Sequence, residues 1–226
     1  MLADLLYLFF PTFCEACEKP MVQNERIFCT SCRLHLPITN YHNHNAKILN
    51  KVFRGQIPIE NATALFFFDK DSLVQNMIHN LKYRGHQYIG TEVGKWLGHE
   101  LSRIDTYTAI DLVIPVPLHK RRLRERGYNQ VHLFAKELAS HLDVPYCTDL
   151  VIRTKYTRKL SKSNAEERLA AIEDAFDVSS AKNLTGKHIL LVDDVITTGA
   201  TVKAIIKAFA NVPDIRFSIA AIAIAR

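Results

Sequence analysis

One stretch near the carboxyl end combines an apolar run, two carboxylates and a hydroxyl-rich turn. The apolar run, residues 188–192, is typical of a buried strand, and the Thr/Gly turn after the acids predicts the start of a helix. Backbone N–H groups at such a turn bind phosphate. Carboxylates beside a phosphate would repel it unless they accept hydrogen bonds from hydroxyl groups of the same ligand. The pattern therefore favours a ribose 5-phosphate, whose hydroxyls can face the two acids while its phosphate faces the turn. The candidate residues are Asp193, Asp194, Val195, Ile196, Thr197, Thr198, Gly199, Ala200 and Thr201.

Four of the five cysteines form two CxxC pairs, which suggests a metal site. Each pair places two thiolates on one side of a tight turn, and two such turns complete a tetrahedral sulfur shell that suits Zn²⁺. Four thiolates leave no open coordination position, which indicates a structural ion. Two disulfides or free thiols are the alternative. The predicted ligands are Cys14, Cys17, Cys29 and Cys32.

The formal charge of +6 is concentrated in two segments. Residues 119–127 hold five basic side chains against one acid, and residues 150–170 hold six against two. The rest of the chain is slightly acidic, so the protein is not uniformly basic. Two basic patches favour a polyanionic ligand, either a pyrophosphate-like group or nucleic acid.

Strand and helix patterns alternate through the last two thirds of the chain, which predicts an α/β fold with a mainly parallel sheet covered on both faces. Apolar runs predict strands at 62–68, 110–116, 188–192 and 215–225. Helical spacing predicts helices at 71–81, 89–104, 131–142, 164–176 and 200–210. A further amphipathic helix is expected over residues 2–10.

The composition predicts two units. Residues 1–60 contain the N-terminal helix, the cysteine pairs and a Pro- and Asn-containing linker over 33–60, and residues 61–226 contain the α/β unit. The longest apolar run is seven residues, Ile219 to Ala225, against the ~20 that a membrane-spanning helix needs. Residues 1–10 lack a basic start and a cleavage site, so they do not match a signal peptide. We expect a soluble, cytoplasmic protein, with peripheral association at the inner face of the membrane left open.

Several short motifs along the chain resemble the phosphoribosyltransferase family and, more closely, the ComF family of competence-associated proteins. The resemblance includes both CxxC pairs and the 188–201 stretch, and it covers residues 14–226. The other segments that carry it are Leu81 to Gly85, Pro115 to Leu118, Arg126 to Gln130, and Glu167 with Arg168. It implies a type I phosphoribosyltransferase-like fold preceded by a small zinc ribbon.

The resemblance also implies roles for the site residues. Asp193 and Asp194 would bind the ribose of phosphoribosyl pyrophosphate, and Val195 to Thr201 would bind its 5-phosphate. Val116, Pro117 and Leu118 would form the loop for the pyrophosphate, which binds together with Mg²⁺. The basic segment from Arg153 to Lys162 would be the flexible loop that closes over the ligand, and the basic residues after Leu118 would face the diphosphate with its Mg²⁺. The candidate residues of these two basic loops are Arg121, Arg122, Arg124, Arg126, Lys155, Tyr156 and Arg158.

Two functions follow from these patterns. In one, the protein binds phosphoribosyl pyrophosphate and handles single-stranded DNA during natural transformation, together with proteins of the competence machinery. Arg and Lys side chains would then contact phosphates, and Tyr83, Tyr128 and Tyr156 would stack on bases. In the other, it is an active phosphoribosyltransferase, similar to amidophosphoribosyltransferases, with an unknown acceptor. No catalytic acid or base is identifiable, so the sequence leaves the question of enzymatic activity open.

Overall fold

The computed structural model describes residues 11–43, 52–53, 59–156, 174–179 and 184–226. Its strands are β1 (Ile59–Phe68), β2 (Leu112–Pro115), β3 (Val151–Arg153), β4 (Phe176–Val178), β5 (His188–Ile196) and β6 (Arg216–Ala225). Its α-helices are α1 (Thr30–His35), α2 (Leu73–Tyr83), α3 (Tyr88–Leu101), α4 (Asp105–Thr108), α5 (Lys120–Arg126), α6 (His132–Leu142) and α7 (Ala200–Ala208). A 3₁₀ turn covers Tyr41–Asn43.

Four of the strands form one parallel sheet in the order β1-β6-β5-β2. The two central strands, β5 and β6, are the most apolar because helices or loops cover both faces of the sheet. Strands β3 and β4 form a separate antiparallel pair. The predicted α/β class and parallel sheet are therefore confirmed.

Successive residues of β5 divide between two hydrophobic cores. Leu190 and Val192 face a core that contains α2, α3, α6 and the cysteine segment. Ile189 and Leu191 face a second core that contains α7, β3 and β4. Because side chains alternate across a strand, the residues that follow on β5 are also divided between the two faces.

Helices α3 and α6 pack closely within the first core. A Cβ added at Gly94 would lie 2.7 Å from Glu137 Cβ and 3.0 Å from the carbonyl oxygen of Phe134, so a larger residue would push the helices apart. This contact fixes the start of α6, which follows the segment that carries Gln130. None of the described helices combines the length and hydropathy that a bilayer-crossing segment needs.

The first basic segment differs from its sequence prediction. The sequence predicts a loop after Leu118, but the segment forms helix α5. His119 accepts a hydrogen bond from the backbone N–H of Arg121 at 3.2 Å, and the Arg121 side chain pairs with Glu125 one turn later at 2.9 Å. A side-chain cap and an i,i+4 ion pair both stabilise a short helix.

The predicted helix over 164–176 does not reach its expected end, because Phe176 begins β4 and pairs with Arg153 of β3. The rest of that prediction, residues 164–173, lies outside the described residues, as does the predicted helix over 2–10. Part of the predicted linker, residues 37–39, lies alongside β1. The backbone N–H of Phe67 donates to Pro37 O at 2.8 Å, and the backbone N–H of Thr39 donates to Leu65 O at 3.0 Å.

Candidate functional site

The four paired cysteines meet at one point of the fold. Cys14 lies in a tight turn closed by a bridge between Phe13 and Pro20, and Cys29 caps the N-terminus of α1. Backbone N–H groups point at the sulfurs: that of Cys29 is 3.3 Å from Cys14 Sγ, and that of Cys32 is 3.4 Å from Cys29 Sγ. We call residues 12–36, which contain these turns and α1, the cysteine module.

The geometry of the cysteine module fits a Zn²⁺ ion. All four Sγ atoms lie within 4.8 Å of one another, and Cys17 Sγ is 3.8 Å from Cys29 Sγ. Zn–S bonds of ~2.3 Å in a tetrahedron separate sulfurs by ~3.8 Å, whereas a disulfide needs ~2.0 Å. Burial, followed by the neighbouring Cys17 and Cys29 thiols, raises the pKa of Cys32. A bound dication would offset both effects and keep the thiolates ionised.

The turn between β5 and α7 forms a small cleft of about 70 Å³. Gly199 caps α7 with φ +71°, a conformation that side chains disfavour. A Cβ there would also lie 2.8 Å from atoms of Val52 and Phe53. The N-terminus of α7 therefore opens onto the cleft. The lining residues are Asp193, Val195, Ile196, Thr197, Thr198, Gly199, Ala200, Thr201 and Val202.

Asp193 and Asp194 lie on opposite faces of the sheet. Asp193 lines the cleft, and its Oδ1 accepts the backbone N–H of Asp194 at 2.8 Å. Burial and the charge of Asp194 raise the pKa of Asp193 to about 7. The site is thus short of a hydrogen-bond donor or cation at Asp193, which a ligand hydroxyl would supply.

Asp194 is held by two residues from distant parts of the chain. Lys82 Nζ at the end of α2 is 2.9 Å from Asp194 Oδ2, and Gln130 Nε2 donates to the same oxygen at 2.5 Å. Gln130 in turn accepts a hydrogen bond from Arg126. In the sequence, the segments of Lys82 and Gln130 stand out only as part of the resemblance. The sequence signal for these two residues is their place in the segments Leu81 to Gly85 and Arg126 to Gln130, which carry the resemblance.

The predicted pyrophosphate loop lies next to the carboxylates. Strand β2 pairs with β5, and the backbone N–H of Val116 donates to Val192 O at 2.8 Å. Asn129 Nδ2 donates to Val116 O at 3.0 Å, which holds the loop from the other side. Pro117 and Leu118 line a cleft of about 240 Å³ that also contains Lys120 and Arg153.

Arg153 is a further site residue, which the sequence marks only as part of a basic segment. Burial and the charge of Arg122 lower the pKa of its guanidinium, while the charge of Asp193 opposes that effect. The three groups are therefore within electrostatic range of one another. Arg153 ends β3, and its guanidinium stacks on the Phe176 ring of the paired strand at 5.3 Å.

A third cavity, of about 400 Å³, is lined by Lys82 and brings three tyrosines together. The Arg126 guanidinium stacks over Tyr83 at 5.3 Å, and that of Arg121 stacks over Tyr156 at 4.8 Å. The Tyr128 hydroxyl donates to Leu81 O. We call it the tyrosine cavity. Its lining residues are Lys82, Tyr83, Gly85, Arg122, Glu125, Arg126, Tyr128 and Tyr156.

The residues predicted for the basic loops divide into two groups. Arg122, Arg126 and Tyr156 line the tyrosine cavity, whereas Arg124 and Lys155 are exposed. Arg121 is exposed too, although it stacks on Tyr156. Arg158 lies outside the described residues.

Comparison with known proteins places the carboxylate turn inside a shared domain. A family model described as the phosphoribosyl transferase domain matches residues 132–223, which include β5, the turn and α7. The competence protein F of Haemophilus influenzae is 39% identical over 98 residues. That match covers 43% of this chain and 43% of the relative, so it spans less than half the length of that protein.

A longer match links the chain to a protein named for DNA use. The DNA utilization protein YhgH of Escherichia coli is 28% identical over 195 residues, covering 85% of this chain and 81% of that protein. A solved structure, a glutamine phosphoribosylpyrophosphate amidotransferase from Bacillus subtilis, is 18% identical with a TM-score of 0.39. It aligns with 62% of this chain and 30% of its own.

Proposed function

Because this chain belongs to the ComF family, we propose that it binds phosphoribosyl pyrophosphate with Mg²⁺ and handles single-stranded DNA during natural transformation. The observation that carries the first part is the shared cleft of Asp193 and the turn that opens α7. A ribose 5-phosphate needs a carboxylate and a phosphate-binding helix N-terminus side by side. Both groups line this cleft.

The charges of the two ends of the cleft suit the ligand's polar groups. Asp193 carries a raised pKa, and a ribose hydroxyl that donates to it would stabilise the ionised form. The Thr197, Thr198 and Thr201 side chains lie where they can bind the 5-phosphate together with the backbone N–H groups of the turn. Asp194, oriented by Lys82, would bind the second ribose hydroxyl.

The pyrophosphate would lie against the loop of Val116 to Leu118. Lys120 and Arg153 line the cleft beside that loop and supply positive charge. Mg²⁺ retains several waters and is bound largely by substrate oxygens, so the loop needs no cage of carboxylates to hold it. When bound, Mg²⁺ would neutralise the pyrophosphate charge.

Isothermal titration with phosphoribosyl pyrophosphate and Mg²⁺ tests the ligand. The wild type should bind, and the Asp193→Asn/Asp194→Asn double variant should lose at least about 100-fold in affinity, since each charge-assisted hydrogen bond contributes roughly 1.5–3 kcal/mol. Asp105→Asn/Asp177→Asn removes two exposed carboxylates elsewhere and should bind normally. Wild-type affinity in the Asp193/Asp194 double variant would disprove the site.

The tyrosine cavity supports the second part of the proposal. It combines Arg122 and Arg126 with three aromatic rings, the pairing that binds single-stranded nucleic acid through phosphates and stacked bases. Helix α5 also presents Arg121 and Arg124 to solvent beside it. The relatives named for competence and DNA utilization are consistent with this role. Partner proteins of the competence machinery remain an expectation from those names alone.

Salt dependence tests the DNA surface. Replacing Arg121, Arg122 and Arg124 by Ala should flatten the log–log plot of single-stranded DNA affinity against salt, by ~0.7 in slope for each DNA phosphate that is no longer neutralised. The matched control is Lys95→Ala/Arg103→Ala/Lys136→Ala, which removes three exposed charges elsewhere. A wild-type slope in the α5 variant would show that these arginines do not contact DNA.

Phosphoribosyl transfer is the second candidate function, and the volume of the tyrosine cavity favours it. A space of about 400 Å³ next to the Lys82–Asp194 pair is large enough for a small acceptor. In such a reaction the bond from the anomeric carbon to pyrophosphate breaks, a bond to the acceptor forms, and the acceptor loses a proton. Pyrophosphate release that depends on an added purine or pyrimidine base would support transfer. Its absence across all bases would argue for binding without turnover.

A further inference from the structure

Helix α2 connects the cysteine module to Asp194. Three residues spaced one turn apart on α2 and its C-cap contact the cysteine module, and Lys82 of the same helix contacts Asp194. The contacts with the module are Asn76 Nδ2 to Ala16 O at 3.0 Å, Asn80 Nδ2 to Glu15 O at 3.3 Å, and Arg84 Nη1 to Glu18 Oε1 at 2.5 Å. One short helix is thus tied to two different sites.

Glu15 makes the most buried of these connections. It directly follows Cys14 and is only 3% exposed. Its carboxylate accepts a hydrogen bond from Asn80 Nδ2 at 2.8 Å and from the Tyr88 hydroxyl, and it lies 2.9 Å from His86 Nδ1. Glu15 therefore binds the end of α2, the turn after it and the start of α3 with one carboxylate.

The segment between two of the residues that Glu15 binds contributes side chains to the carboxylate site. Asn80 and His86 are its two anchors. Between them, Lys82 contacts Asp194, and Lys82, Tyr83 and Gly85 line the tyrosine cavity. Because a helix turn moves as a unit, displacing Asn80 would also displace the Lys82 ammonium two residues later. Burial and the hydrogen bond to Glu15 raise the pKa of Tyr88, as expected for a hydroxyl that keeps its proton to donate.

We propose that Glu15 is a positioning residue that holds Lys82 at Asp194 through α2, so that the cysteine module sets the ligand affinity of the carboxylate site. This inference rests on the proposed binding of phosphoribosyl pyrophosphate. A Zn²⁺ ion held by Cys14, Cys17, Cys29 and Cys32 would fix the backbone from which Glu15 projects. The metal site and the carboxylates are then coupled without sharing a ligand.

Glu15→Gln tests the connection with a side chain of the same shape. The neutral amide keeps one acceptor oxygen where the carboxylate has two, so the contacts with Asn80, His86 and Tyr88 should loosen. We expect about tenfold weaker binding of phosphoribosyl pyrophosphate with Mg²⁺ by titration, with zinc content unchanged by metal analysis. Glu25→Gln alters a partly exposed carboxylate of the same module whose contacts, with Val22 and Thr30, do not reach α2, and it should leave the affinity unchanged. Equal affinity of Glu15→Gln and wild type would overturn the proposal.

A double-variant cycle separates positioning from a general loss of stability. If Glu15 acts through Lys82, then Glu15→Gln should weaken binding little further in a Lys82→Met background, because the positioned group is gone. Fully additive losses would mean that Glu15 affects the site by another route, and the proposal would be wrong.

Hydrogen–deuterium exchange gives a readout that needs no ligand. In zinc-loaded Glu15→Gln, backbone amides of residues 80–86 and of 193–199 should exchange faster than in wild type, and in Glu25→Gln these amides should match wild type. If the wild type does not bind phosphoribosyl pyrophosphate, the proposed function fails, yet this measurement still decides the coupling. Faster exchange confined to residues 12–36 would overturn it.

Discussion

The four thiols of the cysteine module come from one short stretch, whereas the groups around Asp193 and Asp194 come from segments far apart in the chain. Gln130 is 64 residues from the carboxylate it binds, and Lys82 lies further still. The module is therefore built from local turns around a cluster that could hold a metal ion. The carboxylate site depends on the sheet and on how α2 packs against it. Residue spacing predicts a site that is built from near neighbours, but it predicts only part of a site that is assembled from distant segments.

The largest expected effect tests the module as one metal-dependent unit. Cys32→Ser should lower zinc content from one ion per chain to near zero and unfold the module, because structural zinc contributes roughly 10–16 kcal/mol to folding of small zinc domains. Metal analysis and thermal unfolding measure both results.

The fifth cysteine provides a matched control for that change. Cys147 lies outside the cluster and contacts Asp149, so Cys147→Ser should retain zinc. Wild-type protein that contains no zinc when freshly purified would contradict the assignment of the module.

The next effect tests whether the carboxylate site depends on a distant cation. Lys82→Met leaves Asp194 buried without its ion-pair partner, and removing one partner of a buried pair costs about 3–5 kcal/mol. We expect lower thermal stability and at least tenfold weaker binding of phosphoribosyl pyrophosphate. Lys95→Met breaks a more exposed pair with Glu92 and should change neither property. Unchanged binding in Lys82→Met would separate α2 from the site.

A smaller effect tests the turn at the start of α7. Gly199→Ala adds a Cβ in a left-handed conformation and against Val52 and Phe53, so it should destabilise the protein by about 1–3 kcal/mol. Gly186→Ala has a similar φ but no atom within 4 Å of the added Cβ, so it should cost less. Thermal unfolding of both variants gives the difference. Equal losses would mean that the contact with residues 52–53 adds nothing.

The smallest effect concerns the pH dependence of Asp193. Its pKa is raised from an ordinary 3.8 to about 7, so the folded state holds an extra proton in that range, and stability falls as pH rises through it. The Asp193→Asn variant should therefore be more stable than wild type at pH 8, by about 1 kcal/mol in the free energy of unfolding or ~2–4 °C in Tm. The gain should be much smaller at pH 4.

Asp111 is a control of opposite sign for the pH measurement. A hydrogen bond from Lys187 and one from the backbone of His188 lower its pKa. Its ionised form therefore stabilises the fold above its ordinary pKa, and that stability is lost as pH falls through the lowered value. Asp111→Asn should destabilise equally at pH 6 and pH 8. A gain for Asp193→Asn that does not grow with pH would mean that the site already neutralises Asp193.

Periodicity located most of the elements that carry the site. Strand β5 and helix α7 begin at the predicted residues, because a buried parallel strand is a continuous apolar run and a turn with Gly199 opens the helix. Helix α5 was missed, since five basic residues indicate a binding surface more directly than they indicate a conformation. Strand β4 was missed because three residues carry too little pattern to identify a strand that pairs with β3.

Residue types and spacing alone predicted the four-cysteine cluster and the Thr/Gly turn that opens α7, since both are built from near neighbours whose geometry the backbone fixes. Tertiary structure alone decided that Asp193 lines the cleft at the start of α7 while Asp194 contacts Lys82 and Gln130. The physical reason is that adjacent residues on a strand face opposite sides of the sheet, so two identical side chains in sequence enter different surroundings. What surrounds each of them is set by the helices packed on that face.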